Sequence, residues 1–176
     1  MDSGKMTSSR SKRPAVLLFC AFRQDFYQKH RILTIIKILC SGGVTMEPSL
    51  KAGILGEAKT VVSDRNTAIT HGSGSIPVFA TPAMIALMEN AALSSVEPFL
   101  PEGHTTVGIK ITSSHIAATP LGMEVAAKSE LLEIDGKRLI FKVEAYDARE
   151  KIGEGTHERF IINKEKFMKR NEGKKV

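Results

Sequence analysis

The chain has 176 residues, 42% hydrophobic and 25% charged, a composition that folds and that excludes disordered, collagen-like and acidic-tail proteins. Its net charge of +6 sits in residues 1–45, where eight Lys and Arg stand against Asp2 and Asp25, leaving 17 charges of each sign in residues 46–176. A neutral main segment argues against nucleic acid as the partner, and 6% aromatics without Trp argue against a base-stacking surface.

Residues 1–45 are basic and Ser-containing, then apolar, and three readings fit them. Arg10–Arg13 followed by Ala15–Phe22 resembles a secretory signal, but Arg23-Gln24-Asp25 stands where small residues would form the cleavage site. An organelle-targeting peptide matches the basic, acid-poor character. The third reading puts the natural start at Met46, where Met46-Glu47-Pro48 opens ordinary domain sequence. The expected organisation is an extension over residues 1–45 and one domain over residues 46–176. The only cysteines, Cys20 and Cys40, fall in the extension, so the domain has neither a disulfide framework nor a Cys-based metal site. This usage fits a reducing compartment, and a cytoplasmic protein is expected. No apolar run approaches the roughly 18–20 residues that span a bilayer, since Lys37 interrupts Ile32–Cys40.

In the domain, Ala58–Val62 reads as a strand, and His71–Pro77, with Gly72, Gly74 and Pro77, as a loop. Thr81-Pro82 then offers an N-cap followed by proline at the first helical position. The helix it opens, Ala83–Leu93, is apolar on nearly every face and therefore expected to be buried, with Pro98 and Pro101 beyond its end. Thr105–Thr112 alternates, with Val107, Ile109 and Ile111 facing one way. Met123–Ile134 is a long strand, Asp135-Gly136 a hairpin turn, and Arg138–Tyr146 the return strand, with Leu139, Phe141, Val143 and Ala145 on one face. Ile152–Asn163 is another strand and Lys164–Arg170 a short basic tail. One apolar helix ahead of an antiparallel meander indicates an α+β fold, a sheet curled around the helix.

Five polar positions stand out around the helix. Glu89 is the only acid in Ala83–Leu93 and is either a rim residue facing water or a functional group, because a buried acid needs a partner. Thr81 is an N-cap, or it marks a helix N-terminus whose free N–H groups suit an oxyanion. His115 lies between two strands and reads as structural or functional. His157 and Arg159 alternate on one strand and share a face, with solvated charge the simpler reading. Gly72-Ser73-Gly74-Ser75 lacks the lysine and the strand–helix context of a phosphate loop, the five histidines show no metal-ligand spacing, and Gly-x-Ser-x-Gly is absent.

The segment Val78-Phe79-Ala80-Thr81-Pro82-Ala83-Met84-Ile85-Ala86-Leu87-Met88-Glu89 resembles the helix motif of the hotdog-fold thioesterases related to fluoroacetyl-CoA thioesterase. The likeness continues in order through Thr105-Thr106-Val107-Gly108, His115–Gly122 and Gly155-Thr156-His157-Glu158-Arg159-Phe160, and runs from about Lys51 to Lys169. It implies a hotdog fold, hydrolysis of an acyl-CoA thioester to free acid and CoA, and homodimers with active sites at the subunit boundary. It also implies catalytic roles for Thr81, Glu89 and His115, with Gly108 near the acyl group; Pro82 and Arg159 are grouped with the substrate-binding residues. Lys128 and Arg159 are candidate contacts for CoA phosphates, with surface solvation the competing reading. No metal or redox cofactor is required. His71–Pro77 carries no aromatic where the fluoroacetyl-specific enzyme has an aromatic lid, so fluoroacetyl specificity is not implied. A non-catalytic acyl-CoA-binding module is the alternative; a hotdog hydratase would use a different Asp/His arrangement.

Overall fold

The computed structural model describes residues 49–174, and the basic extension lies outside them. Within them the strands β1 (Leu55–Val61), β2 (His104–His115), β3 (Glu124–Asp135), β4 (Arg138–Asp147) and β5 (Lys151–Asn163) form one antiparallel sheet in the order β1-β3-β4-β5-β2. Helix α1 (Thr81–Val96) packs across it, mainly against β1 and β3. This is the α+β arrangement that the single apolar helix and the meander predict.

The inward face of β4 is the floor of the core. Leu139, Phe141, Val143 and Ala145 are all fully buried, as their alternation requires, and they meet Met84 and Met88 of α1 with Val125, Leu131 and Ile152. The β3–β4 hairpin closes through Gly136-Lys137, with Gly136 at φ +57°, a conformation that glycine adopts without steric cost.

Three expectations need correction. The cap of α1 is Ala80, not Thr81: Thr81 is the first helical residue, Pro82 the second, and no side chain caps the end. The helix is also one-sided. Met84, Met88, Ala91, Ala92, Ser95 and Val96 are buried, while Ala86, Asn90 and Ser94 are exposed, so the apolar sequence is not enclosed by its own sheet. Finally, the basic tail is a helix, α2 (Lys164–Glu172), started by the Asn163 side chain accepting the Lys166 N–H at 3.1 Å.

Strand β2 also departs from simple alternation. Gly108 pairs with Arg159 and Lys110 with Glu158, so Ile109 is an extra residue, 52% exposed. The bulge reverses the parity of everything after it. Val107, Ile109 and Ile111 do not share a face; Thr106 and Gly108 instead share the helix-side face with Ile111, Ser113 and His115, opposite Ile161, Arg159, His157, Gly155 and Gly153 of β5.

The helix sits close to the sheet because Gly56 of β1 has no side chain. A Cβ there would run into the Ala91 carbonyl oxygen and lie 2.6 Å from Ser95 Cβ and 2.7 Å from Ser129 Oγ. Gly56→Ala is therefore expected to cost about 1–3 kcal/mol of overpacking. Urea unfolding checks this: the midpoint should fall with an unchanged slope.

Candidate active site

The chain enters α1 through two buried residues, each tied by its N–H to a neighbouring segment. Phe79 donates its N–H to Thr119 and Ala80 donates to Asn66, at 2.9 and 3.0 Å. This fixes Thr81 at the first position, with its hydroxyl free because capping falls to none of the side chains. His115 ends β2 opposite Gly153, and the next residue, Ile116, donates to the Ile152 carbonyl at 2.8 Å. Gly153 leaves room for Met84: a Cβ would strike its sulfur and lie 2.7 Å from its methyl carbon. The helix start thus comes down onto the end of β2, and Thr81 Oγ1 lies 2.8 Å from His115 Nδ1.

Burial pushes the His115 imidazole below its ordinary value, with the Ala117 backbone opposing. His115 is therefore neutral at pH 7. Its Nε2 is buried and has no hydrogen-bond partner among the described residues. With the proton on Nε2, Nδ1 accepts from the Thr81 hydroxyl. The first turn supplies donors beside this pair: Pro82 has no N–H, Met84 donates back to Ala80, and the amides of Thr81 and Ala83 lack intrahelical partners. An open cleft of about 300 Å³ covers the pair, walled by Val78, Phe79, Ile116 and Ala118. Pro82 is exposed and is not among the residues that line this cleft.

Glu89 does not reach this pair. It is eight residues further along α1, about 12 Å at 1.5 Å per residue, and its side chain is 40% exposed. It lies in a second cleft of about 360 Å³, with Asn90, Thr106, Gly108 and Arg159. Gly108 is packed against it: a Cβ there would lie 2.6 Å from Glu89 Oε1 and 3.1 Å from His157 Cε1. The described chain therefore holds two separate groups, Thr81 with His115 and Glu89 with Gly108 and Arg159.

The reading of His157 and Arg159 as solvated charge is overturned. They share a face, as alternation requires, but it is the helix-side face, and both are buried. Arg159 Nε donates to Thr106 Oγ1 at 2.8 Å, Nη2 to the Thr106 carbonyl at 2.9 Å, and Nη1 to His157 Nε2 at 3.0 Å, with the Glu89 carbonyl 3.4 Å from Nη1. No carboxylate is within ion-pair distance of the guanidinium among the described residues. Glu158, between them in sequence, faces outward and pairs with Arg138 at 2.7 Å.

His157 Nδ1 is 2.9 Å from the Lys110 carbonyl and must donate to it, which leaves Nε2 as the acceptor for Arg159. Burial, and then the neighbouring Arg159 charge, hold this imidazole below its ordinary value, against the pull of the Lys110 carbonyl and Glu89. The 3.7 Å approach of Glu89 Oε1 to Nε2 is then a contact with a neutral ring and not an ion pair. Lys128 is elsewhere, its ammonium 5.4 Å from the Tyr146 ring centroid. Among the described residues no group of three or more His, Cys, Asp and Glu side chains gathers as a metal site would.

A curled antiparallel sheet with one helix packed against it is the architecture of the hotdog-fold thioesterases. The chain belongs to one family among them, that of the fluoroacetyl-CoA-specific thioesterases, whose model matches residues 62–165. The fluoroacetyl-CoA thioesterase of Streptantibioticus cattleyicolor is 44% identical over 90 residues, 51% of this chain and 65% of that relative, so the match spans just under two thirds of its length. The solved structure of the fluoroacetyl-CoA thioesterase FlK superposes with a TM-score of 0.69 at 33% identity, covering 73% of this chain and all of that one. A thioesterase superfamily member from Thermus thermophilus superposes at 0.65 with 30% identity, over 72% of this chain and 93% of that one.

Two imidazoles depressed by burial make stability depend on pH. Unfolded histidine binds its proton near 6.5, and both folded rings bind it less readily. The unfolded state therefore holds more protons just below that value, and stability falls as the pH drops through it. Glu144 and Glu158, held low by hydrogen bonds from Lys151 and Arg138, lose their contribution only as the pH nears the ordinary carboxylate range. The urea midpoint should accordingly decline between about pH 7 and pH 5. A flat midpoint over that interval would contradict the burial of both rings.

Proposed function

We propose that this protein hydrolyses an acyl-CoA thioester to the free acid and CoA, with Thr81, His115 and Glu89 as its catalytic residues and Gly108, Pro82 and Arg159 at the substrate. The observation that carries the reading is the 2.8 Å approach of Thr81 Oγ1 to a neutral His115 Nδ1 beside the free amides of a helix start. A thioester carbonyl seated there meets three things at once. The amides of Thr81 and Ala83 polarise its oxygen, the helix dipole favours the oxyanion that develops, and the Thr81 oxygen stands ready to attack.

In this mechanism the Thr81 oxygen bonds to the acyl carbon while its proton passes to His115 Nδ1. The C–S bond then breaks, and the CoA thiolate leaves with that proton. Water attacks the acyl-threonine in the second half, giving its proton to His115, and the acid departs as Thr81 recovers its hydrogen. Glu89 orients that water for attack. A binding module of the same fold would need none of these groups, which is why catalysis is preferred to the binding-only alternative. The acyl group is left open, because His71–Pro77 lacks an aromatic residue to close over a small acyl chain.

The distance between the half-sites supports a homodimer. β2 is an outer strand of the sheet, Ile109 and Ile116 on and beside it are 52% and 56% exposed, and α1 leaves Ala86, Glu89 and Asn90 uncovered. A two-fold partner seated there would bring its own Thr81 and His115 to the Glu89 cleft. A cytoplasmic location belongs to the proposal on cysteine usage alone.

A panel of acyl-CoA esters, followed by release of free thiol, tests the chemistry. The wild type should turn over at least one ester, and Thr81→Ala, His115→Ala and Glu89→Gln should each lower kcat/KM by about 100-fold or more. An inactive wild type, or full activity in the His115 and Glu89 variants, would defeat the reading. The shared site has its own test. Co-expressed Glu89→Gln and His115→Ala chains should recover on the order of a quarter of wild-type activity, since half of randomly assorted dimers are mixed and each mixed dimer keeps one whole site. Sites contained within one subunit would recover none.

A further inference from the structure

We propose that His157 is a positioning residue of this site: its neutral ring, donating through Nδ1 and accepting through Nε2, holds the Arg159 guanidinium in place on the wall of the Glu89 cleft. The proposal rests on the assignment of that cleft to the acyl-CoA site.

The geometry argues for a clamp and not for a histidine that merely fills the core. A buried guanidinium must find acceptors for its N–H groups, and without a carboxylate beside it they must be neutral ones. Arg159 has four such contacts: the hydroxyl and carbonyl of Thr106, the Glu89 carbonyl at 3.4 Å, and His157 Nε2. Three of the four oxygens and nitrogens belong to α1 or β2. His157 alone comes from β5, the strand of Arg159 itself, and holds Nη1 from below at 3.0 Å. The imidazole can do so only in one tautomer, and that tautomer is set by the Lys110 carbonyl immediately after the Ile109 bulge, 2.9 Å from Nδ1.

Removing the acceptor has a definite consequence. Nη1 would be left facing the Glu89 carboxylate, which stands 3.7 Å from Nε2, and a charge-assisted pair between them would draw the guanidinium out of place. Protonating His157 has the same effect, because Nε2 then carries a hydrogen directed at the Arg159 N–H. The groups facing the ring are Glu89 from α1, the Lys110 carbonyl from β2, the uncharged Phe141 from β4 with its centroid at 6.4 Å, and Arg159 and Glu158 on β5. Lys110 contributes its carbonyl only; its ammonium is 3.5 Å from Glu158.

Two variants and one spectrum test this. His157→Gln can place an amide oxygen near the Nε2 position, whereas His157→Leu supplies similar bulk with no acceptor. The Leu variant should raise KM for the best acyl-CoA ester by about tenfold with kcat changed less than about threefold, and the Gln variant should recover most of that loss. The acidic rise of KM in the wild type should be missing from the Gln variant. A Leu variant with wild-type KM, or a Gln variant as impaired as Leu, would overturn the proposal. Nitrogen-15 spectra of wild-type His157 decide the matter even if the variants fail to fold: at pH 7 the ring should be neutral with the proton on Nδ1, and an imidazolium or an Nε2–H ring overturns the clamp. If the wild type hydrolyses no ester, the proposed function fails by itself while the spectrum still decides the tautomer.

Discussion

Ile109 has no partner across β2 and β5, and this one extra residue decides what the helix sees. Side chains alternate along a strand, so Gly108 and His115, seven positions apart, would face opposite sides of a regular β2. The bulge returns both to the helix-side face. There Gly108 gives Glu89 space to lie down and His115 meets the Thr81 hydroxyl. Immediately past the same irregularity, the Lys110 carbonyl meets the His157 ring. The two half-sites and the Arg159 clamp therefore all depend on a local break in pairing, and a β2 without it would present the same residues to opposite sides of the sheet.

Much of the fold is legible in the sequence because hydrophobic alternation records burial directly. Leu139, Phe141, Val143 and Ala145 could hardly lie anywhere but on the core side of β4. The helix start is legible for a similar reason, since Thr-Pro ahead of an apolar run leaves few alternatives. Bulges are not legible in the same way. Ile109 continues an apparently perfect Val107-Ile109-Ile111 pattern, and nothing in its side chain says that it will be left unpaired. The burial of His157 and Arg159 was within reach. They stand directly across from Phe141 and Leu139, and opposite residues in an antiparallel pair share a face. Charge alone suggested solvent there, but register outweighs charge when neutral acceptors are at hand.

The cost of that arrangement is informative. A buried guanidinium without a carboxylate is expensive, and a domain optimised only for stability would place an apolar side chain at position 159. Four neutral acceptors, two from Thr106 and one each from His157 and Glu89, reduce the cost without cancelling the charge. The Glu89 and Glu97 carboxylates act on it only at longer range, outside ion-pair distance. The result is a fixed positive charge on a cleft wall beside Glu89, which is what a site for an electron-rich ligand requires and what packing alone does not.

The helix finally accounts for the separation of the half-sites. Thr81 and Glu89 are two turns apart on α1, and the sheet covers only the stripe that runs through Met84, Met88 and Ala91. Nothing within the described chain can bend that helix to bring its start and its carboxylate together. An apolar helix left half uncovered beside an outer strand with exposed isoleucines is an incomplete structure in the same place where the proposed site is incomplete. The proposed second copy would bury the uncovered stripe and set its own Thr81 and His115 beside Glu89 in one step. The apolar character that makes α1 look like a fully enclosed helix in the sequence would then have its explanation in the cover that the proposed second copy provides.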